Sequence, residues 1–117
     1  GHFGEHMSHY DNLKVLRVTA DSVAASNGLV TNSVIALIHK VVLVGDGSNV
    51  VSANIHDDTN ASNAALIKIS LSSNEEFATE FDRFVQSDFN PPVEFTTGVS
   101  IDVTGNTVVA YVYYTKT

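Results

Sequence analysis

Apolar and polar residues alternate with a period of two along most of this chain. Val51, Ala53 and Ile55 alternate with Ser52, Asn54 and His56. Ala65, Ile67, Ile69 and Leu71 are interleaved with Lys68 and Ser70, and Val99, Ile101 and Val103 with Ser100, Asp102 and Thr104. Successive side chains of a strand point to opposite faces, so each segment predicts a strand with one face in a core and one in water. Residues 13–20 follow a looser version, Leu13 and Val15 opposing Leu16 and Val18.

Two segments are apolar on both faces. In residues 33–44, Ile35, Leu37, Val41 and Leu43 lie on one face and Val34, Ala36, Ile38, Val42 and Val44 on the other. In residues 107–115, Val108, Ala110, Val112 and Tyr114 oppose Val109, Tyr111 and Tyr113. A strand in a two-layer domain meets the core on one face only, so the second apolar face asks for a covering partner. Val109, Tyr111 and Tyr113 are the candidate interface residues.

The turns are chemically explicit. Asn27-Gly28, Gly45-Asp46-Gly47-Ser48-Asn49 and Gly105-Asn106 carry the residues that reverse a chain. The second predicts a hairpin between its flanking strands, and the third a hairpin joining residues 99–104 to 107–115. One segment breaks the rhythm: Phe77, Phe81, Phe84 and Val85 fall on one helical face, and Ser73 with Glu76 has capping-box spacing. This predicts a short helix near residues 73–86, with a strand as the alternative because period two also aligns Phe77, Thr79 and Phe81; Pro91 and Pro92 close the segment because proline cannot serve a central ladder. The expected fold is mainly β: an antiparallel β-sandwich, jelly-roll-like, with at most one short helix near 73–86.

Composition narrows the function. The chain has 117 residues, 13 acidic and six basic side chains, a net charge of −7 and no cysteine. An acidic chain lacks the Lys and Arg that neutralise nucleic-acid phosphates or an anionic bilayer, so neither nucleic acid nor membrane is expected as a partner. Without cysteine there is no disulfide framework and no thiolate ligand. Residues 1–7, ending in Met7, read as an expression-vector remnant, which leaves 8–117 as a single β-sandwich domain.

Motifs of chemistry are sparse. There is no G-x-S-x-G elbow, and the glycine-rich turn at 45–49 contains an acid and lies between predicted strands rather than before a helix. Neither a catalytic residue nor a cofactor is expected. The cluster His56-Asp57-Asp58-Thr59-Asn60 offers hard oxygens from Asp57, Asp58 and Asn60 that could meet a divalent ion, with His56 adding a nitrogen. The spacing fits no EF-hand, and the same residues build Asx turns. These three are weak metal candidates against an expectation of no metal. His39 and Lys40 interrupt an apolar strand, which a bulge or a sheet edge would explain.

The phrase Pro92-Val93-Glu94-Phe95-Thr96-Thr97-Gly98-Val99-Ser100-Ile101-Asp102-Val103-Thr104-Gly105, followed by the valines and tyrosines of 108–114, resembles the end of small β-sandwich virion proteins of tailed bacteriophages. The strand, G-x-G turn, strand, polar loop and strand of residues 41–71 are similar to the same family. The resemblance implies a virion structural protein, a capsid decoration or an appendage subunit of fibre or knob type. It implies a virion location and assembly with itself, commonly threefold, and with other virion proteins. It carries no catalytic residues over. The alternative is a carbohydrate- or receptor-binding β-sandwich using Tyr111, Tyr113 or residues 57–63, and a small hydrolase is the third.

Overall fold

The computed structural model describes residues 13–19, 23–24, 30, 34–45, 49–72, 83–105 and 108–117. Eight strands run in chain order: β1 (Lys14–Thr19), β2 (Val23–Ala24), β3 (Ala36–Gly45), β4 (Val51–His56), β5 (Ala65–Leu71), β6 (Arg83–Phe95), β7 (Ser100–Thr104) and β8 (Val109–Lys116). They form two four-stranded antiparallel sheets, in the orders β1-β8-β3-β6 and β2-β7-β4-β5. The chain is mainly β, with the two-sheet arrangement of a β-sandwich.

The alternating strands put their apolar residues where the pattern predicts. Val51, Ala53 and Ile55 of β4, Ile67, Ile69 and Leu71 of β5, and Ile101 and Val103 of β7 are buried. Together with Val18, Ala36, Ile38, Val41, Leu43, Phe95, Ala110 and Val112 from the other sheet they form one hydrophobic cluster. Burying an aliphatic side chain contributes ~1.5–3 kcal/mol of gross transfer free energy, so this shared layer holds the sheets together.

Both predicted hairpins at the glycine turns are corrected. β7 pairs with β2 and β4, and β8 pairs with β1 and β3, so the chain crosses from one sheet to the other at Gly105. The crossing from β3 to β4 after Gly45 is of the same kind. Gly105 has φ 128°, a region open mainly to glycine, and a Cβ there would lie 2.7 Å from Val51 Cγ1. Turn chemistry reverses the chain but does not choose the strand that receives it. Among consecutive strands only β4 and β5 pair with each other, through Val51↔Leu71 to His56↔Ala65.

The helix expected near 73–86 is also corrected in part. Residues 73–82 lie outside the described residues, and Arg83 to Gln86 belong to β6. Phe84 and Val85 therefore point to opposite faces: Phe84 is 66% exposed while Val85 packs against the core. Pro91 and Pro92 do not end an element; they sit inside β6, the edge strand of its sheet, in a stretch where the register slips. Ile38 pairs with Val93 but Lys40 with Asp88, so β6 loops out between these pairs. An edge strand tolerates the missing amide donors because its outer side has no ladder to serve.

The same place on β3 carries a bulge, as the polar pair His39–Lys40 suggested, although β3 lies inside the sheet and not at its edge. Opposite β8, Ile38 faces Tyr114 and Lys40 faces Tyr113, which leaves His39 as the inserted residue. The insertion inverts the phase of the strand. Ala36 and Ile38 before it share the core with Val41 and Leu43 after it, whereas strict alternation placed the two pairs on opposite faces.

Candidate functional site

Two places could carry function: the polar loop between β4 and β5, and the outward face of the β1-β8-β3-β6 sheet.

The loop is a clasp built from its two aspartates. Asp57 reaches across to the connection between β6 and β7, where its Oδ1 accepts from the backbone N–H groups of Thr96 (3.1 Å), Thr97 (2.7 Å) and Gly98 (3.1 Å). Asp58, 5% exposed, turns back into its own loop. Its Oδ1 accepts from Ala61 N at 2.7 Å and Asn60 N at 3.2 Å, and its Oδ2 from Asn63 N at 2.6 Å. The hydroxyl of Ser100 on β7 donates to the same carboxylate and accepts from Ala61 N at 2.9 Å. Burial pushes the Asp58 carboxyl up, but the hydrogen bonds from Ser100, Asn63, Ala61 and Asn60 together outweigh it. The carboxyl is held well below the usual carboxylate range.

The metal candidates Asp57, Asp58 and Asn60 are therefore brought close in sequence but not turned to a common point. The carboxylates are engaged by backbone amides, and Asn60 Oδ1 accepts from the Ser62 hydroxyl at 2.6 Å. Among the described residues no three His, Asp or Glu side chains converge as an ion would require. The loop has the Asx geometry that its composition also suggested.

Two residues on the outward phase are buried all the same: Ser100 is fully buried and His56 is 9% exposed, paired with each other across β4 and β7 and bonded by the β4–β5 loop through Asp58, Ala61 and Asn63. His56 Nδ1 lies 2.6 Å from the Asn63 carbonyl oxygen, which can only accept, so Nδ1 carries the hydrogen. Its buried Nε2 has no hydrogen-bond partner. Ser100 gives its proton to Asp58 and not to this imidazole, so the three residues do not form a nucleophile–base pair. Sequence reasoning missed Ser100 and the 96–98 amide cradle. Thr96-Thr97-Gly98 was the available signal: a Cβ on Gly98 would lie 2.4 Å from the Asp58 carbonyl oxygen.

The outward sheet face is read directly from the register. Its rows are Thr19–Val109–Val44–Phe84, Arg17–Tyr111–Val42–Gln86, Val15–Tyr113–Lys40–Asp88 and, on the last three strands, Thr115–Leu37–Glu94. The predicted interface residues Val109, Tyr111 and Tyr113 stand together on its β8 strand and are half-buried. Phe84 and Val15, at opposite margins, are 66% and 52% exposed. The Lys40 ammonium lies over the Tyr113 ring, 4.8 Å from its centroid, and His39 Nε2 is 2.8 Å from the Thr115 hydroxyl. The outward positions of the second sheet are different: Ser52, Asn54, Lys68, Ser70, Asp102 and Thr104.

No protein-family model matches this chain. No curated protein matches it either.

Proposed function

We propose that this chain is a virion structural protein of a tailed phage, a decoration or appendage subunit that works by assembling. The observation that carries the reading is the apolar cluster Val42, Val44, Val109, Tyr111 and Tyr113 on the outward face of β1-β8-β3-β6, flanked by exposed Phe84 and Val15, which contact with another protein would bury. The resemblance of residues 92–114 and 41–71 to small phage virion domains supports the same reading. So does the strand order. Every connection except β4–β5 changes sheet, and the orders β1-β8-β3-β6 and β2-β7-β4-β5 favour the jelly-roll reading, an architecture common in capsid proteins. On this reading the chain is non-catalytic, takes no cofactor, resides in the virion, and has itself and other virion proteins as partners.

The glycan- or receptor-binding alternative would use Tyr111 and Tyr113. It is the weaker reading because the Lys40 ammonium already lies on the ring face of Tyr113 where a sugar would stack.

Deleting the gene from the phage that carries it tests the proposal. Particles that lose one surface component, seen by electron microscopy and by mass spectrometry of purified virions, are expected. Purified wild-type particles that do not contain the chain would overturn it.

A further inference from the structure

We infer that the first half of β6, residues 84–90, pairs edge to edge with the same segment of a second copy, so that the sheets of the two copies join into one of eight strands. The inference goes beyond the assembling-subunit reading and does not depend on it.

Burial along β6 is the first argument. β6 pairs with β3 on one side and with no described strand on the other. Its neighbour β3 is fully buried at Val41 and Leu43, yet no residue of β6 before Phe95 is buried. Val85 and Phe89 pack against the core and remain half-buried, and Phe84 on the outward phase is 66% exposed. This half of the strand therefore shows apolar side chains on both phases along an unpaired ladder, the combination that draws another strand. A strand laid alongside covers Val85 and Phe89 from the side and serves the free N–H and C=O groups at the same time.

The other edges lack this combination. β2 has two residues. β1 exposes Lys14 and Arg17 and holds no acid, so two copies of it repel. β5 carries Lys68 at its centre, and its apolar phase, Ile67, Ile69 and Leu71, is buried already. Within β6 itself Pro91 and Pro92 have no amide hydrogen to give, which ends the usable ladder at Asn90.

The register follows from the side chains. A two-fold axis normal to the sheet makes the two strands antiparallel and keeps each phase on its own side. Centred on Ser87, it sets Val85 beside the partner's Phe89 and Gln86 beside the partner's Asp88, each twice per dimer. Apolar meets apolar, and an amide donor meets a carboxylate. Gln86 Nε2 already donates to Asp88 Oδ2 of its own strand at 3.0 Å, so both groups stand on the outward side where the partner's copies arrive. Centring on Asp88 would face carboxylate with carboxylate, and centring on Gln86 would set Phe84 against Asp88. Centring on Val85 leaves Phe89 beyond the end of the partner's strand. With Ser87 at the centre, the outward apolar clusters of the two copies share one side of the joined sheet, a doubled surface for a further protein.

A contact of one strand pair is small and belongs to the weak class, so sedimentation of the purified chain is read up to hundreds of micromolar. A species of twice the chain mass is expected, dissociating on dilution. Gln86 is exposed, and two substitutions there test the register. Gln86→Lys sets an ammonium beside the partner's Asp88 and should tighten the dimer about tenfold; Gln86→Glu sets a carboxylate there and should weaken it about tenfold. The exchange Gln86→Asp/Asp88→Gln keeps both contacts and should match the wild-type affinity. Hydrogen exchange of the wild-type chain needs no variant: the amides of 84–90 should slow as the dimer forms. A monomer throughout, a trimer or an open-ended polymer overturns the inference. So does a dimer that leaves the 84–90 amides unchanged, or a pair of Gln86 variants that fail to move the affinity in opposite directions. A dimer formed by a chain that is absent from phage particles would keep this inference and remove the virion reading. A particle-bound chain that is monomeric in solution would do the reverse.

Discussion

The Ser100 hydroxyl donates to the Asp58 carboxylate across the gap between β7 and the β4–β5 loop, and both side chains are buried. This bond joins an element chosen by hydrophobic alternation to a loop chosen by polar composition. It also makes the loop sensitive to acid. The Asp58 carboxyl is held below its unfolded value, so the stability it contributes is present above about pH 4 and is lost as pH falls further. Asp58→Asn should lower the melting temperature at pH 7, and the gap from wild type should narrow on acidification through that range. A gap that stays constant from pH 7 down to pH 3 would contradict the assignment.

Asp57 ties the same loop to residues 96–98. Asp57→Ala leaves three backbone amides without their acceptor and should cost ~1–3 kcal/mol in urea unfolding. Asp57→Asn keeps a neutral acceptor and should cost less. Equal losses for the two variants would mean that a neutral acceptor does not serve these amides and that the carboxylate charge carries the clasp.

Gly98 is required by closeness and not by its backbone angles. An added methyl would meet the Asp58 carbonyl oxygen at 2.4 Å, and a backbone atom in a clasped loop cannot give way cheaply. Gly98→Ala should therefore destabilise by ~2 kcal/mol or more. A melting temperature equal to wild type would show that the two connections are not in contact.

Ala61 has φ 58°, where an L-residue other than glycine is strained. Ala61→Gly relieves the strain at some cost in unfolded-chain entropy, and a net gain of ~0.5 kcal/mol is expected. Thermal unfolding checks the sign.

Calcium should leave the melting temperature unchanged. The Asp57 and Asp58 carboxylates are engaged by amides and by Ser100, and an ion would have to break those bonds to bind. A calcium-dependent rise that Asp57→Ala with Asp58→Ala abolishes would show that the loop rearranges around the ion.

Much of this protein is determined by its sequence. Alternation placed Val51, Ala53, Ile55, Ile67, Ile69 and Val103 in the core, because a strand's period of two depends only on local backbone geometry. The Asx character of residues 57–63 was legible because Asp and Asn side chains compete for their own neighbouring backbone, and the bulge at His39–Lys40 because two polar residues there interrupt an apolar strand. Only the tertiary structure decided where the turns lead. Gly45 and Gly105 reverse the chain in either case, but whether the next strand pairs beside the last or crosses to the opposite sheet depends on which arrangement buries both flanking strands, a property of the whole core. It also decided the burial of Ser100, a polar residue on a strand's outward phase until Asp58, 42 positions away, arrives to bond it. Phe84 belongs to the same class. Its helical spacing is real in the sequence, yet pairing with Val44 on β3 holds it in a strand, because the ladder satisfies the backbone there and propensity is the weaker force.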